Sequence, residues 1–354
     1  LADLLSRFES AAQDPNVPPR RLWRLAAVAG TLVGLGCLTR YAFGWLIFPV
    51  GLWIAFFGGQ NRARLSGIAV AVFFLPIIPW IVRNWVESGT PFGTAGYAIY
   101  QDTALFTGDQ LERTLAPSFI GWTTGDLVRK FQINARAMVA EEIPALGSCW
   151  LIGLFWAGLL VPFRNRTRSR LRHWLLLCFA TLFVVQAFGG SGRTTEALAV
   201  DAESLLVLLA PLIFVYGVSL LLTLAGQMPV AAGGRWLLWI AFVIFACAPL
   251  IFRFLSPRSS PVAYPPYYPP WIMAKSRYVE PSALVMTDLP WAVAWYGHRQ
   301  SIWLPLKHRG NPDDKVSNDF YAVHGRKPVA ALYLTAKTLK TIDVSALEQW
   351  AASK

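Results

Sequence analysis

The chain has 354 residues, of which 55% are hydrophobic and only 15% are charged, and its mean hydropathy is +0.43. Several apolar runs approach the roughly 20 residues that a helix needs to cross a bilayer, which predicts a polytopic membrane protein. The arginines behind the formal net charge of +12 stand in short loops between apolar runs, a pattern of membrane topology, so no nucleic acid is expected as a partner. The four cysteines are scattered through apolar runs, so neither a disulfide framework nor a metal site is predicted.

Residues 1–24 are predicted to form a cytoplasmic N-terminal segment. The first 19 residues are polar, with apolar positions at Leu4, Leu5 and Phe8, and they lack the apolar core of a signal peptide. Because the sequence begins with Leu1, we expect a fragment or a processed form of a longer protein.

Residues 25–255 are predicted to form a transmembrane domain, an all-α bundle of about seven helices. Every arginine-dense loop falls on one side of these spans, so the positive-inside pattern places the N-terminus in the cytoplasm and the C-terminus outside, with a bacterial inner membrane as the expected location. The predicted spans are 25–38, 41–59, 66–86, 145–163, 174–189, 205–224 and 236–255.

Two arginines stand at the predicted outer ends of spans. The first span has roughly 14 residues and rises only about 21 Å, whereas the hydrocarbon layer is about 30 Å thick. Either the helix starts earlier, at Trp23, or Arg40 lies below the headgroups in a protein-lined cavity with Tyr41 in its wall. Arg83 ends the apolar run that begins at Ser66. Guanidinium groups pair with phosphate oxygens and keep their charge, so the two arginines predict a seat for a lipid-linked phosphate. The alternative is that both side chains snorkel to the interface.

The residues after Arg83 supply the other predicted cavity positions, Asn84, Trp85 and Glu87. The sequence Gly-Thr-Pro-Phe-Gly at 89–93 then predicts a turn that ends the helix. Glu87 has a simpler explanation as well, because an ion pair with Arg83 at i+4 on the same helix contributes about 0.3–0.5 kcal/mol.

Residues 87–144 are too polar to span the membrane and are predicted to form an external loop. Within it, residues 126–140 combine apolar positions with Arg129, Lys130 and Arg136, which predicts an amphipathic helix on the outer surface, resting against a lipid substrate or against other helices. The apolar positions are Leu127, Phe131, Ile133 and Met138.

Carboxylates on the outer side are candidates for a general base or for the ligands of a divalent cation. The usual role of any one of them is a solvated loop residue or a helix cap. The candidates are Glu87, Asp102, Asp109, Asp126, Glu141, Glu142, Asp201 and Glu203.

Residues 256–354 are predicted to form a small extracytoplasmic α/β domain behind the proline-rich linker at 264–270. Apolar runs at 283–286, 301–304 and 329–334 predict strands. Asp288 and Pro290 mark the start of a helix at 291–296, where Asp288 is expected to act as a cap.

Three segments in order resemble the C-terminal two thirds of GT-C glycosyltransferases, in particular bacterial membrane proteins similar to protein O-mannosyltransferases and to the aminoarabinose transferase of lipid A. They are Gly-Leu-Gly-Cys-Leu-Thr-Arg-Tyr at 34–41, Pro-Trp-Ile-Val-Arg-Asn at 79–84 with Gly-Thr-Pro-Phe at 89–92, and the stretch 288–305. The likeness extends over nearly the whole chain from Leu22.

The resemblance implies transfer of a sugar from a polyprenyl-phosphate donor to a glycan, lipid or protein acceptor outside the cytoplasm, within membrane lipid. Arg40 and Arg83 match the positions that would contact the donor phosphate. Members of the family carry an essential acidic residue in a first external loop near the N-terminus, which is not found here, so we expect a truncated or partial transferase whose catalytic residue is unknown. No cofactor is implied beyond a divalent cation that a carboxylate could bind.

Two other functions fit parts of the sequence. A transporter or flippase for a lipid-linked intermediate would use the arginines as stations along a path, but no convincing repeat relates the two halves of the chain. A noncatalytic scaffold subunit would bind a partner transferase through the outer domain, and the missing acidic loop favours that reading.

Overall fold

The computed structural model describes residues 1–106, 111, 113–115, 117–146, 150–161, 166–189, 204–227, 232–255, 268–305, 319–335 and 338. This part of the chain is mostly helical and contains one small parallel sheet. The chain divides into two compact units, the first of residues 1–103 and 123–249 and the second of residues 104–122 and 250–354. The second unit therefore takes in part of the segment that the sequence assigns to the external loop.

The first unit consists of packed helices. In chain order they are α1 Ala2–Gln13, α2 Pro19–Thr39, α3 Ile47–Phe57, α4 Arg62–Ser88, α5 Thr124–Ala137, α6 Ile143–Leu146, α7 Trp150–Leu160, α8 Arg166–Gly189, α9 Ala210–Gln227 and most of α10 Ala232–Leu255. Turns of 3-10 helix at Tyr41–Leu46 and Leu205–Leu209 precede α3 and α9, and a π-helical turn at Met138–Glu142 joins α5 to α6.

Four helices in the described part of the chain are long and apolar enough to cross a membrane: Pro19–Thr39, Gly59–Ser88, Ser169–Gly189 and Leu205–Gln227. A fifth span results if Thr124–Leu146 and Trp150–Leu160, which are bent by 97° at a short break, count as one. These helices indicate an integral membrane protein, with four or five candidate spans among the described residues, and the seven predicted spans are not confirmed.

Two of the predicted spans are interrupted or short. Span 41–59 is a 3-10 turn followed by the 11-residue α3, because Pro49 fits the first turn of a helix but could not donate a hydrogen bond in the interior of a longer one. Span 145–163 contains the 11-residue α7, and residues 147–149 and 162–165 lie outside the described part. In span 236–255, the sufficiently apolar stretch is the shorter Trp239–Ala248.

Helices α2 and α4 pack closely and in parallel. A Cβ atom added at Gly30 would lie 2.1 Å from the Ala69 carbonyl oxygen, and one at Gly34 would lie 2.6 Å from the Phe73 carbonyl oxygen. Both pairs have the same offset in sequence, so the two helices run in the same direction. Glycine at these positions allows the backbones to approach, as in membrane helix pairs with small residues four apart.

The starts of three long helices lie at one end of the first unit. Arg170, near the start of α8, forms an ion pair with Glu9 of α1, and its guanidinium lies 4.9 Å from the ring centroid of Phe57 at the end of α3. Because α2 follows α1 and α4 follows α3 after short connections, α2, α4 and α8 begin together. We call the opposite end, formed by the last turns of α2, α4 and α8, the distal end.

The second unit contains a three-stranded parallel sheet in the order β2-β1-β3, formed by β1 Leu284–Thr287, β2 Gln300–Trp303 and β3 Val329–Tyr333. Helices α11 Pro269–Ser276 and α12 Pro290–Gly297 pack on the face that carries Val285, while α13 Asp319–Arg326 packs on the face that carries Met286. The predicted strands and the helix between them coincide with β1, α12, β2 and β3 to within about two residues.

Candidate functional site

The last turn of α2 meets the last turns of α4 through Tyr41. The Tyr41 hydroxyl accepts hydrogen bonds from Trp80 Nε1 at 2.5 Å and from Asn84 Nδ2 at 3.0 Å. The Tyr41 ring also packs edge-on against Phe92, with 5.6 Å between the ring centroids. We call these four residues the tyrosine cluster. It fixes the ends of the two helices to each other and to the turn that follows α4.

The two predicted phosphate-binding arginines flank the tyrosine cluster. Arg40 is half-buried at the end of α2, directly before Tyr41, and its backbone N–H donates to the Gly36 carbonyl. Arg83 is exposed, and its guanidinium lies over the Trp80 ring at 5.0 Å from the centroid. Both arginines therefore belong to the distal end, one on each of two parallel helices.

Asn84 also donates to the Pro91 carbonyl at 3.3 Å, which holds the turn after α4 against the cluster. Gly89 ends α4 in the left-handed conformation, with φ of 70°, as the sequence predicted from the glycine and proline there. Trp85 and Glu87 are exposed and lie outside the cluster. No ion pair between Arg83 and Glu87 is found among the described residues, because the guanidinium is turned toward Trp80 instead.

The acidic candidates differ sharply in burial. Asp126 is a helix cap, since its carboxylate accepts from the Thr123 hydroxyl and N–H while its own N–H donates to that hydroxyl. Glu142 is buried, with 8% of its surface exposed. The exposed candidates are Glu87, Asp102 and Glu141, and those outside the described residues are Asp109, Asp201 and Glu203.

Glu142 accepts hydrogen bonds from two other segments of the first unit. Gln186 Nε2, near the end of α8, donates to its Oε2 at 2.6 Å, and Ser204 Oγ donates to the same oxygen at 3.0 Å. The Gln186 side-chain oxygen accepts from the Leu205 N–H at 2.8 Å. Since Glu142, Gln186 and Ser204 are all buried, this network joins the π-helical turn, α8 and the turn before α9 at the distal end.

Lys130 and Asn134 continue the same face of α5 toward its start. Lys130 is only 3% exposed, and its ammonium donates to the carbonyls of Gln101 at 2.6 Å, Ala98 at 2.7 Å and Ile99 at 3.3 Å. Asn134 Nδ2 donates to the Ala187 carbonyl at 2.9 Å.

The helix predicted at 126–140 turns polar as well as apolar side chains toward the protein. Phe131 and Met138 do face the protein, but Lys130, Asn134 and Glu142 face it as well, and Ile133 is exposed. We call Lys130, Asn134 and Glu142 the inward polar row. The signal in the sequence was the spacing of four and eight residues, which favours one helix face for all three.

Asp288 does not have its predicted role. The N-cap of α12 is Leu289, and no side chain caps this helix. The Asp288 carboxylate instead accepts from the Thr335 N–H at 3.0 Å and hydroxyl at 2.5 Å, linking the ends of β1 and β3. Burial and this carboxylate together raise the pKa of Tyr333 at the end of β3.

In the described residues no group of three or more His, Cys, Asp or Glu side chains could hold a metal ion. The distal end combines Arg40, directly before Tyr41 in the chain, and the Arg83 guanidinium over Trp80 with a buried, hydrogen-bonded carboxylate at Glu142. No protein-family model, curated protein or solved structure matches this chain.

Proposed function

We propose that this chain is an integral-membrane glycosyltransferase, or part of one, that transfers a sugar from a polyprenyl-phosphate donor to an extracytoplasmic acceptor. The observation that carries the proposal is the tyrosine cluster, because it brings the helix ends with Arg40 and Arg83 together. A sugar on a polyprenyl phosphate has an activated anomeric carbon and an anionic leaving group. Guanidinium groups held in place stabilise the negative charge that grows on that phosphate as the glycosidic bond breaks.

The carboxylate that activates the acceptor is not assigned to Glu142. A general base has to reach the acceptor hydroxyl, and the Oε2 atom of Glu142 is covered by Gln186 and Ser204. We assign Glu142 the role of a positioning residue that keeps α8 and the π-helical turn in place at the distal end.

Binding of the donor phosphate can be measured directly. The purified chain in lipid nanodiscs is incubated with polyprenyl phosphate or with the uncharged polyprenol, and retained lipid is quantified by mass spectrometry. We expect the wild type to prefer the phosphate, and the double variant Arg40→Ala and Arg83→Ala to lose roughly 10- to 100-fold of that preference, as expected for charge-assisted hydrogen bonds.

Arg64→Ala is the matched control, since Arg64 is an exposed arginine near the opposite end of α4. It should leave the preference unchanged. An unchanged preference in the double variant would remove both arginines from the donor site, and with them the support for sugar transfer.

A transporter of a lipid-linked intermediate is the second candidate, favoured by one observation. The segment from α5 to α7 is bent by 97° at a break, and broken helices with polar groups are typical of transporter sites. Proteoliposomes separate the two functions. Movement of polyprenyl-phosphate sugar between leaflets without an acceptor would support transport, and glycosylated product without such movement would support the transferase.

A further inference from the structure

The second unit exposes three tryptophans on two short helices. Trp271 on α11 is 59% exposed, and Trp291 and Trp295 on α12 are 52% and 75% exposed. Tryptophan is the largest side chain, and its exposure in water leaves much apolar surface unburied. Three such exposed rings on two neighbouring helices require an explanation.

The three rings are exposed on helices that pack on one face of the sheet, and the Trp291 ring also lies edge-on to Trp303 of β2, with 5.8 Å between the ring centroids. Helices α11 and α12 bury Ile272, Ala292 and Val293 in a common cluster with Val285 of β1. A Cβ atom added at Gly297 would lie 2.3 Å from the Ser276 hydroxyl oxygen, which shows how closely the two helices pack. Trp271 and Lys275 are one helical turn apart on α11, where Met273 and Ala274 are exposed as well, and Trp291, Ala294 and Trp295 share one exposed face of α12.

The chemistry of this face is that of a membrane–water interface. The Lys275 ammonium lies 5.7 Å from the ring centroid of Trp271, so apolar rings and a positive charge share one surface. Tryptophan and tyrosine with basic residues are enriched where a protein meets lipid headgroups, because the rings are amphipathic and the cations pair with phosphates. On the other side of the sheet, the end of α13 exposes the polar residues Arg326 and Lys327 instead.

The chain connection favours lipid as the occupant. Helix α10 contains the apolar stretch Trp239–Ala248 and ends at Leu255, and α11 begins at Pro269. A connection of that length reaches at most about 50 Å when fully extended, so α11 remains within that distance of the end of the apolar helix α10. We propose that the face formed by Trp271, Lys275, Trp291 and Trp295 lies in the headgroup layer of the membrane. This inference does not depend on sugar transfer.

The test places an environment-sensitive fluorophore on each side of the sheet. In a full-length version with all four cysteines replaced by alanine, Trp295→Cys and, as the control, Arg326→Cys are labelled with NBD and reconstituted into phosphatidylcholine and phosphatidylglycerol vesicles. We expect several-fold stronger quenching at position 295 by doxyl-labelled lipid, and several-fold stronger quenching at position 326 by aqueous iodide. Equal iodide quenching at both positions would overturn the proposal and would indicate that the exposed tryptophans bind a partner protein or a glycan instead.

A second measurement keeps the native cysteines, in case the cysteine-free protein does not fold. Trp271, Trp291 and Trp295 are replaced together by phenylalanine, and tryptophan quenching by brominated lipids is compared with that of the wild type. We expect the quenchable fraction of the emission to fall, because three rings at the lipid boundary are removed. Replacing the buried Trp53 and Trp174 of the first unit provides the comparison for loss of rings elsewhere. No fall in the quenchable fraction of the triple variant would contradict the proposal.

Discussion

Charged and amide side chains inside the first unit carry the most information about this protein at the scale of single residues. Lys130 and Glu142 are buried although burial of an unpaired charge is costly, and each is compensated by hydrogen bonds, Lys130 to backbone carbonyls of a turn and Glu142 from the side chains of Gln186 and Ser204. The three carbonyls around Lys130 come from the segment after the tyrosine cluster, so this lysine holds that segment against α5.

Replacing Glu142 with alanine should lower the thermal stability of the detergent-solubilised protein. Gln186 and Ser204 would lose a buried acceptor, and each unsatisfied group costs about 1–3 kcal/mol. Glu142→Gln should have a smaller effect because its amide oxygen still accepts. Glu141→Ala, at the exposed neighbouring position, is the control and should leave the melting temperature unchanged, and equal effects of the two alanine variants would refute the role given to Glu142.

Replacing Lys130 with methionine should loosen the segment around residues 97–103. The methionine has a similar length but donates no hydrogen bond, so three backbone carbonyls lose their partner. Hydrogen–deuterium exchange of peptides from this segment should become faster, while Arg129→Met at the exposed neighbouring position should not change it. Unaltered exchange in the lysine variant would show that the ammonium does not hold the loop.

At the scale of elements, the pairing of α2 and α4 determines where the candidate site lies. The glycines at positions 30 and 34 bring the two backbones into contact, and the tyrosine cluster joins the ends. The π-helical turn at 138–142 connects a second pair of elements, because its Glu142 accepts a hydrogen bond from Gln186 of α8. Turns of this kind inside helices are frequent at functional sites.

Gly30→Ala should destabilise the protein. Its methyl group would lie 2.1 Å from the Ala69 carbonyl oxygen, and overpacking of this kind typically costs about 1–3 kcal/mol. Gly67→Ala on α4 has open space around its Cβ position and should be neutral or stabilising, because alanine is the better helix former. The melting temperatures of both variants are compared with that of the wild type. A Gly30→Ala variant with a raised melting temperature would contradict the close α2–α4 contact.

For the whole molecule, the direction of the long helices is the property on which the function depends. α2, α4 and α8 begin at one end of the first unit, where Arg170 contacts Glu9 and Phe57. The loop pattern predicts that this end is cytoplasmic, which would place the arginines at positions 40 and 83 at the outer surface, where an extracytoplasmic acceptor would meet the donor.

Labelling of single cysteines tests this orientation. In a cysteine-free version expressed in bacteria, Thr90→Cys lies in the turn after α4 and Gln60→Cys lies before its start. A membrane-impermeant maleimide should label position 90 in intact spheroplasts and position 60 only after permeabilisation. The opposite result would invert the topology and exclude an extracytoplasmic donor site.

The sequence by itself determined the class of the protein and much of its local structure. Hydrophobic runs identified the long spans, Gly89 and Pro91 marked the end of α4, and short apolar runs located the three strands of the sheet. These features depend on residues close together in the chain, so composition and spacing are sufficient to find them. Apolar composition does not show where a helix breaks, and four or five of the seven predicted spans correspond to candidate spans among the described residues.

The tertiary structure alone decided which side chains meet. Tyr41 contacts Trp80 and Asn84, which follow it by 39 and 43 positions in the sequence. Glu142 contacts Gln186 and Ser204, which follow it by 44 and 62 positions. Spacing along the chain carries no information about such pairs. The face of α5 that turns inward was likewise decided by its neighbours, because the carbonyls at 98–101 and the amide at 186 provide the hydrogen bonds that make burial of its polar row favourable.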